Sequence, residues 1–277
     1  MTLRDVYRET VSLFRGKIPN SHLEAILIIS LALDKPKEYI LAHQDLEISP
    51  EEIERIKELS IKSVSGIPYA YLKKEKEFFG LNFYIDEGVL IPRPETETLV
   101  EVVLQEGPFI NGLDLFCGSG IIGLSTLYYN ACRRFLGVDI SSRSIEVADI
   151  NARRLGLSDR YRLIKADVRS LYLEEEFDLI VANPPYLPSS VWDSLDLEVK
   201  NEPKEALLGG EDGLIFYPEI ARLISENLVE GGLFAVEIGG DEQVDRVKEI
   251  FMSYNIRRMK VKEDLAGISR VIWGRKE

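Results

Sequence analysis

Residues 112–127 read GLDLFCGSGIIGLSTL, and this stretch indicates the fold more directly than any other part of the chain. The apolar run that ends at Leu115 predicts a buried strand, and the run that begins at Ile121 predicts a helix. The glycines between them let the backbone approach a ligand closely, and the first turn of the helix presents free N–H groups. The stretch therefore predicts a strand, a glycine-rich loop and a helix in succession.

The same alternation of strand and helix continues toward the end of the chain. Short apolar runs predict strands at residues 112–115, 135–138, 162–165, 179–182, 233–238 and 269–274. The spacing of apolar residues between these runs predicts helices at residues 121–129, 144–155, 217–228 and 241–254. Strands and helices in repeated succession indicate an α/β domain built on a doubly wound parallel sheet.

The residues before this region follow a helical pattern. The tetrapeptides SHLE at residues 21–24 and SPEE at residues 49–52 both match the capping box that opens a helix. Apolar residues follow each of them at helical spacing, and no strand-like alternation occurs before about residue 76. We therefore expect a small all-helical domain over residues 1–75.

A short hairpin is expected between the two regions. Residues 77–85 read EFFGLNFYI and predict a pair of strands around Gly80-Leu81, so residues 76–91 are assigned to a β-hairpin linker. Pro92 and Pro94 then hold the chain extended ahead of a helix with an acidic first turn. The α/β domain is expected to cover residues 92–277.

Composition limits the class of protein and of site. The chain has two cysteines and two histidines, none with a companion at metal-ligand spacing, so we expect neither a disulfide nor a metal site. No apolar targeting segment opens the sequence and no apolar stretch is long enough to cross a membrane, so we expect a cytoplasmic protein. A net charge of −13 argues against binding to nucleic acid phosphates and favours a basic protein partner.

The glycine loop, defined here as residues 116–120, fits two kinds of ligand. Residues 118–123 match the G-x-G-x-x-G dinucleotide fingerprint, and Asp139 is suited to the ribose of either NAD or S-adenosylmethionine. Asp114 separates the two ligands, because a carboxylate there suits the cationic amino-acid end of S-adenosylmethionine and would repel a pyrophosphate. Asp167 follows the third predicted strand and is expected to accept from the adenine amine. These aspartates favour S-adenosylmethionine over NAD.

The tetrapeptide Asn183-Pro184-Pro185-Tyr186, called the NPPY motif below, follows the fourth predicted strand. Amide and aromatic-amine nitrogens are poor nucleophiles because their lone pairs are delocalised. The Asn183 side-chain oxygen and the Pro184 carbonyl are expected to accept from such a nitrogen, to orient its lone pair and to stabilise the developing positive charge. Pro185 stiffens the backbone, and Tyr186 offers a flat apolar face to a planar group. The motif predicts N-methylation but leaves open which planar nitrogen is methylated.

The chain resembles the HemK/PrmC family, whose members methylate a glutamine of peptide chain release factors. The stretches that carry the resemblance are residues 65–68, 77–78, 91–97, 183–186, 202–214, 237–239 and 267–270. Residues 91–97, IPRPETE, are the most specific, since general N-methyltransferases share the NPPY motif but not this stretch. The resemblance implies a Rossmann-like methyltransferase sheet, mostly parallel with an antiparallel last strand, and a helical N-terminal domain that recognises the substrate.

The resemblance also implies the reaction and its residues. It implies methyl transfer from S-adenosylmethionine, which leaves S-adenosylhomocysteine, to the side-chain amide of the glutamine in the Gly-Gly-Gln motif of class 1 release factors. Independently of the resemblance, we expect a monomer. The candidate cofactor contacts are Asp114, Phe116, Cys117, Gly118, Ser119, Gly120, Asp139, Ile140, Asp167, Val168 and Asn183. The candidate substrate contacts are Leu90, Arg93, Asn183, Pro184, Pro185 and Tyr186. Of these, Asn183, Pro184 and Tyr186 are the candidate catalytic residues.

The chain departs from the family pattern at two places. The family usually has Gly-Thr where this chain has Phe116-Cys117, so we expect altered packing of the glycine loop with cofactor binding retained. Where the family often has Tyr-Ile-Leu-Gly, this chain has the sequence YLKK at residues 71–74. This difference bears on the geometry of the hinge between the helical domain and the hairpin linker.

Three other functions compete with the protein-glutamine hypothesis. The NPPY motif also suits an exocyclic amine of a flipped adenine or cytosine in nucleic acid. A non-catalytic binding protein could keep the same fold, and an NAD-dependent dehydrogenase would leave the NPPY motif unexplained. The acidic charge and residues 91–97 favour the protein glutamine.

Overall fold

The computed structural model describes all 277 residues, which form two compact units. Unit 1 comprises Met1–Lys74 together with Asp196–Asn201, and unit 2 comprises Glu75–Leu195 together with Glu202–Glu277. No sequence pattern indicates that residues 196–201 join the first unit. Within unit 1, the Asn201 side-chain nitrogen donates to the Gly66 carbonyl at 3.0 Å, which is a contact between residues far apart in the chain.

Eleven α-helices and nine strands are numbered in chain order. The helices are α1 (Leu3–Phe14), α2 (Ser21–Leu33), α3 (Lys37–Ala42), α4 (Pro50–Val64), α5 (Tyr69–Lys73), α6 (Glu97–Glu106), α7 (Ile121–Tyr128), α8 (Ser142–Arg154), α9 (Leu197–Lys200), α10 (Tyr217–Asn227) and α11 (Asp241–Ser253). The strands are β1 (Glu75–Phe78), β2 (Leu81–Tyr84), β3 (Phe109–Leu115), β4 (Cys132–Asp139), β5 (Tyr161–Lys165), β6 (Phe177–Ala182), β7 (Leu228–Glu237), β8 (Met259–Glu263) and β9 (Ser269–Arg275). None of the helices has the length and apolar character needed to span a membrane.

Unit 1 is helical, as the sequence predicts. The capping box at Ser49 and Glu52 is confirmed, because each residue's side chain bonds the other's backbone at the start of α4. The capping box predicted at residues 21–24 is wrong. Helix α2 begins at Ser21 itself, its N-cap is Asn20 in the left-handed region, and that residue makes no side-chain cap. Glu24 instead accepts a hydrogen bond from the Ser63 hydroxyl at 3.2 Å, so its carboxylate bridges two helices of unit 1.

Strands β1 and β2 form the expected hairpin in unit 2, with the turn one residue earlier than predicted. Phe78 pairs with Leu81, so Phe79 and Gly80 make the turn, and both have positive φ, at 50° and 72°. A two-residue hairpin of this hand matches the twist of the strands. The strained Phe79 is held at both ends, because its N–H donates to Glu97 at 2.9 Å and its carbonyl accepts from the Tyr129 hydroxyl at 2.9 Å.

The main sheet of unit 2 confirms the Rossmann-like prediction. Its seven strands lie in the order β5-β4-β3-β6-β7-β9-β8. Strand β9 runs antiparallel to β7 and β8 on either side of it, and all the other neighbouring strands are parallel to each other. The chain adds β4 and β5 on one side of β3 and then crosses from β5 to β6 on the other side, so the order of strands reverses between β3 and β6. Ligands bind at such a point, outside the carboxyl ends of the strands. Aromatic side chains fill the core beneath it, and those that are fully buried include Phe177, Tyr217, Phe234 and Phe251.

Strand β8 is not predicted from the sequence. Its residues read MKVKE, a short run in which charged residues separate the apolar ones. A charged edge strand protects a sheet from pairing with other chains, and it carries little of the apolar signal on which prediction depends.

Candidate active site

A cleft of about 480 Å³ opens at the carboxyl ends of the central strands of unit 2. Its walls come from the hairpin exit, the glycine loop, the start of α8, the NPPY motif and the segment after residue 202. The lining residues are Gly88, Leu90, Phe116, Gly118, Asp139, Ile140, Ser141, Ser144, Asn183, Pro185, Pro203, Glu205 and Ala206. The predicted cofactor contacts at Phe116, Gly118, Asp139, Ile140 and Asn183 therefore meet around one cleft.

The glycine loop depends on left-handed backbone at its start. Phe116, Gly118 and Gly120 have φ values of 60°, 54° and 82°. The left-handed region costs a side chain such as that of Phe116 about 1–2 kcal/mol, and glycine avoids this cost. The Phe116 ring packs edge-on against Phe216, with the ring centroids 5.1 Å apart. This contact holds the Phe116 side chain at the position where the family usually has glycine.

Asp139 lies on the wall of the cleft at the end of β4. Its two carboxylate oxygens accept from the backbone N–H groups of Gly118 and Ser141, each at 2.9 Å. Burial raises the pKa of the Asp139 carboxyl, and these two N–H groups act in the opposite direction. The carboxylate thereby ties the glycine loop to the start of α8 and keeps lone pairs for a ligand.

Asp114 lies behind the glycine loop and does not line the cleft. Its side chain is fully buried, and Oδ2 accepts from the Gly123 N–H at 3.0 Å and from the Tyr161 hydroxyl at 3.1 Å. Oδ1 has no hydrogen-bond partner. Burial raises the pKa of Asp114 to about 7. Asp114 therefore joins the first turn of α7 to the start of β5 in the interior, away from the wall of the cleft.

Two further predicted contacts lie away from the cleft lining. Asp167 caps the short 3-10 helix Val168–Ser170, and the Arg169 guanidinium donates to its carboxylate at 2.6 Å. The Arg169 contact holds the pKa of Asp167 below its usual range. Val168 is buried in the core of unit 2. The loop residues Cys117 and Ser119 are also buried, so their side chains serve packing.

Asn183 extends from the end of β6 into the cleft. Its Nδ2 donates to the Thr96 hydroxyl oxygen at 3.2 Å. Neither Oδ1 of Asn183 nor the carbonyl of the buried Pro184 accepts a hydrogen bond from another group of the chain. Two acceptors in consecutive residues are thus unused by other groups of the chain. Of these two residues, Asn183 lines the cleft and Pro184 does not.

The backbone of the NPPY motif is held from behind by a second glycine segment and by α11. A side chain at Gly213 would bring its Cβ within 2.2 Å of the Tyr186 carbonyl oxygen, and one at Gly209 within 2.4 Å of the Pro185 oxygen. The buried Gln243 donates from Nε2 to the Tyr186 carbonyl at 3.0 Å and accepts from the Gly239 N–H at 2.8 Å. The sequence does not single out Gln243 as a site residue, because it is one polar residue among others in an amphipathic helix.

The Tyr186 side chain is oriented from the opposite side. Its hydroxyl donates to Glu237 Oε1 at 3.3 Å. Burial raises the pKa of the Tyr186 hydroxyl, Glu237 raises it further, and Arg270 and Arg93 lower it. Tyr186 therefore stays protonated, and Glu237 fixes the position of its hydroxyl. Tyr186 is not among the residues that line the cleft.

Arg93 and Leu90 have different surroundings. Leu90 lines the cleft, whereas the Arg93 guanidinium forms an ion pair with Glu202 at 2.5 Å outside the cleft lining. Glu202 is almost fully buried, and its second oxygen accepts from the Ile91 N–H at 2.9 Å. One carboxylate thus fixes both ends of the IPR sequence. The lining residues Pro203, Glu205 and Ala206 lie in the adjoining segment and were not predicted as site residues.

Comparison with known proteins covers both units. The family described as PrmC N-terminal domain matches residues 5–73, and the family described as Methyltransferase small domain matches residues 94–195. A release factor glutamine methyltransferase of Clostridium botulinum is 38% identical over 283 residues, with 100% of both chains covered. One of Caulobacter vibrioides is 36% identical over 93% of this chain and 90% of its own.

Solved structures show the same fold at much lower identity. The hMettl16 catalytic domain, solved in complex with an RNA hairpin, has a TM-score of 0.61 at 16% identity and covers 79% of this chain and 82% of its own. A methyltransferase from Pyrococcus furiosus has a TM-score of 0.53 at 18% identity and covers 70% and 88% of the two chains. These similarities show the fold of the sheet alone. They carry no information about the substrate.

Proposed function

The chain belongs to the release factor glutamine methyltransferase family, and from that premise we propose that its NPPY motif receives the Gly-Gly-Gln glutamine of class 1 release factors. The reaction is transfer of the methyl group of S-adenosylmethionine to the side-chain amide nitrogen of that glutamine. The observation that carries the assignment of the site is the pair of acceptors at the start of the NPPY motif, Asn183 Oδ1 and the Pro184 carbonyl, neither of which is used by another group of the chain.

The cleft residues suit the methyl donor. Asp139 offers carboxylate oxygens to ribose hydroxyls, and the half-exposed Ile140 beside it offers an apolar face to an adenine ring. Gly118 lines the cleft and has no side chain, so a small ligand can approach the backbone of the loop closely there. S-adenosylmethionine supplies an electrophilic methyl group on a sulfonium, and the residues of the chain bind the donor and orient the nucleophile.

The NPPY residues act by orienting the nucleophile. With its two N–H hydrogens directed at Asn183 Oδ1 and the Pro184 carbonyl, the glutamine amide presents its lone pair at right angles to that plane. The new N–C bond forms as the methyl–sulfur bond breaks, and the nitrogen then releases one proton to solvent. Both acceptors stabilise the positive charge that develops on nitrogen, so their effect is greatest in the transition state. Tyr186 forms a flat wall for the planar amide.

The partner and its recognition follow from the same assignment. We assign recognition of the release factor to the helical unit 1, and the NPPY motif to the reacting side chain. The net charge of −13 favours a basic protein surface and disfavours the nucleic acid amine considered as the alternative. We also propose that the protein acts as a monomer in the cytoplasm, where translation terminates.

One pair of assays tests this function. The protein is incubated with S-adenosylmethionine labelled in the methyl group and with an intact release factor, and in parallel with a factor whose Gly-Gly-Gln glutamine is replaced by alanine. Label is expected in the first factor and not in the second. Ribosomal RNA, transfer RNA and DNA serve as competing substrates. Label in a nucleic acid and none in the factor would refute the proposal.

A further inference from the structure

The buried side chain of Asn151, in the last turn of α8, joins the hairpin to the glycine loop. Its Oδ1 accepts from the Tyr84 N–H at 2.7 Å, and its Nδ2 donates to the Tyr84 carbonyl at 3.0 Å. The same Nδ2 donates to the Ser119 carbonyl at 2.9 Å. One amide group therefore binds both strand β2 of the hairpin and the glycine loop.

The partners of Asn151 determine which way its amide faces. The Tyr84 N–H is a donor and can bond only to Oδ1, while the two carbonyls are acceptors and can bond only to the NH₂ group. Both hydrogens of Nδ2 are used, and the side chain is so deeply buried that water does not replace a lost partner. An aspartate of the same shape would lose both donated bonds and would place a carboxylate against two carbonyl oxygens.

The two segments that this amide binds are next to two walls of the cleft. In the glycine loop, Gly118 lines the cleft and directly precedes Ser119. At the hairpin exit, Gly88 and Leu90 line the cleft a few residues after β2. The amide therefore connects the segments that supply both walls.

The hairpin has further contacts with α8 that do not involve the glycine loop. The Arg143 guanidinium forms an ion pair with Asp86, and the Arg154 guanidinium lies 4.7 Å from the centre of the Tyr84 ring. The loop in turn is bound to the carboxylate at the end of β4. Loss of the amide would therefore leave the hairpin and the loop each anchored and would remove a connection between them.

We propose that Asn151 is a positioning residue for the methyl donor, because it couples the hairpin to the glycine loop. The inference rests on the proposed function, since it takes the cleft as the site of S-adenosylmethionine. A bound Ser119 carbonyl fixes the backbone next to Gly118, so the loop is held in the conformation that meets the donor. Such coupling is reciprocal, and a ligand that holds the loop also holds the hairpin.

Asn227, the last residue of α10, provides a matched control. It is also buried, and its Nδ2 likewise donates to two main-chain carbonyls, those of Leu173 at 2.8 Å and Glu175 at 3.1 Å. None of these three residues lines the cleft. Asn151→Asp and Asn227→Asp each remove two donated bonds, so both variants should lose stability in urea, whereas a loss of donor affinity should be confined to the first.

The experiment measures binding of S-adenosylhomocysteine by calorimetry and turnover of a release factor over a range of concentrations of labelled donor. We expect Asn151→Asp to weaken binding and to raise the KM for the donor about 10-fold, because loss of a hydrogen bond shifts an equilibrium by about this factor. Its kcat at saturating donor should change far less. Asn227→Asp should keep the affinity and the KM of the unsubstituted protein.

Hydrogen exchange of the unsubstituted protein gives a second readout that needs no variant. Saturation with S-adenosylhomocysteine should slow exchange of the Tyr84 amide, since Tyr84 is outside the cleft lining and is connected to the loop through Asn151. Ordinary donor affinity in Asn151→Asp, an equal loss of affinity in Asn227→Asp, or exchange at Tyr84 that the ligand leaves unchanged would each overturn the inference. An unsubstituted protein that binds no S-adenosylhomocysteine contradicts the proposed function itself, which separates the two failures.

Discussion

The aromatic rings of Phe116 and Phe216 meet edge-on, with centroids 5.1 Å apart and planes inclined at 65°. Phe116 begins the glycine loop with a φ of 60°, which a glycine would adopt without cost. Such an aromatic pair contributes about 0.5–1.5 kcal/mol beyond the area that it buries. The contact is thus of the same size as the backbone strain it accompanies, and the loop keeps its left-handed start without a glycine.

This balance predicts an unusual order of stability for two substitutions. Phe116→Ala loses the ring contact and keeps the strained backbone, whereas Phe116→Gly loses the contact and relieves the strain. Phe116→Gly should therefore be more stable than Phe116→Ala by about 1 kcal/mol. Urea unfolding measures both variants. Equal stabilities, or a more stable alanine variant, would mean that the strain at Phe116 is negligible.

Replacing Asn183 should separate catalysis from binding of the methyl donor. Asn183→Ala removes an acceptor that matters most in the transition state, so kcat should fall about 100-fold or more. Affinity for S-adenosylhomocysteine should change far less, because Asn183 is only one of thirteen lining residues of the cleft. Single-turnover kinetics and calorimetry make the comparison. Near-normal turnover of a release factor by this variant would exclude the acceptor role.

Gly213 and Gly231 offer a matched pair for testing how tightly the NPPY backbone is packed. Their φ values are 79° and 76°, so alanine meets similar backbone strain at both. An added Cβ at Gly213 would lie 2.2 Å from the Tyr186 oxygen, whereas nothing lies within 4 Å at Gly231. Gly213→Ala should lose more stability than Gly231→Ala by about 1–3 kcal/mol, as overpacking typically does. It should also lower kcat, since Tyr186 must move.

Thermal unfolding and turnover of the two alanine variants check this prediction together. A Gly231→Ala variant with full activity and a Gly213→Ala variant with reduced activity are the expected pair. If both variants lost the same stability and kept full activity, the close packing of Gly213 against the Tyr186 carbonyl would not be needed for stability or for turnover.

Asp114 should make the protein less stable as the pH rises. Its pKa is about 7 in the folded chain, whereas the ordinary pKa of an aspartate carboxyl is 3.8, so the folded state holds its proton more tightly. The stability that this proton contributes is complete below about pH 4 and is lost as the pH rises through about 7. Asp114→Asn should remove this part of the slope. Urea unfolding between these pH values measures it, and parallel slopes for the two proteins would contradict the assignment.

Much of the fold could be read from local pattern. Buried parallel strands such as β3, β4 and β6 are continuous apolar runs, and helices such as α10 carry an apolar stripe, so both are visible to periodicity. The charged edge strand β8 carries no such signal. The capping box expected at Ser21 fails because the chain enters α2 through Asn20 in a left-handed conformation, which no side-chain pattern specifies. Residues 196–201 join unit 1 through contacts such as Asn201 with Gly66, which are invisible to any local window.

The chemistry of the site was partly readable for the same reason. Residue types at the ends of successive strands predicted a shared edge, and Asp139 and Asn183 do line one cleft there. Asp114 and Asp167 obey the same rule of position, yet one is turned into the interior and the other is bound by Arg169. A position along a strand gives the edge on which a residue lies, while the direction of its side chain depends on which donors reach it.

The sequence by itself determined the class of fold, the NPPY motif and the family, because these depend on residue types in local order. Only the tertiary structure decided that Phe216 supports Phe116, that Gln243 holds the Tyr186 carbonyl, and that the Asn183 amide donates to Thr96. Thr96 and Asn183 are 87 residues apart in the chain. The direction of a hydrogen bond depends on which donor and acceptor meet, and that meeting exists only after the sheet has assembled.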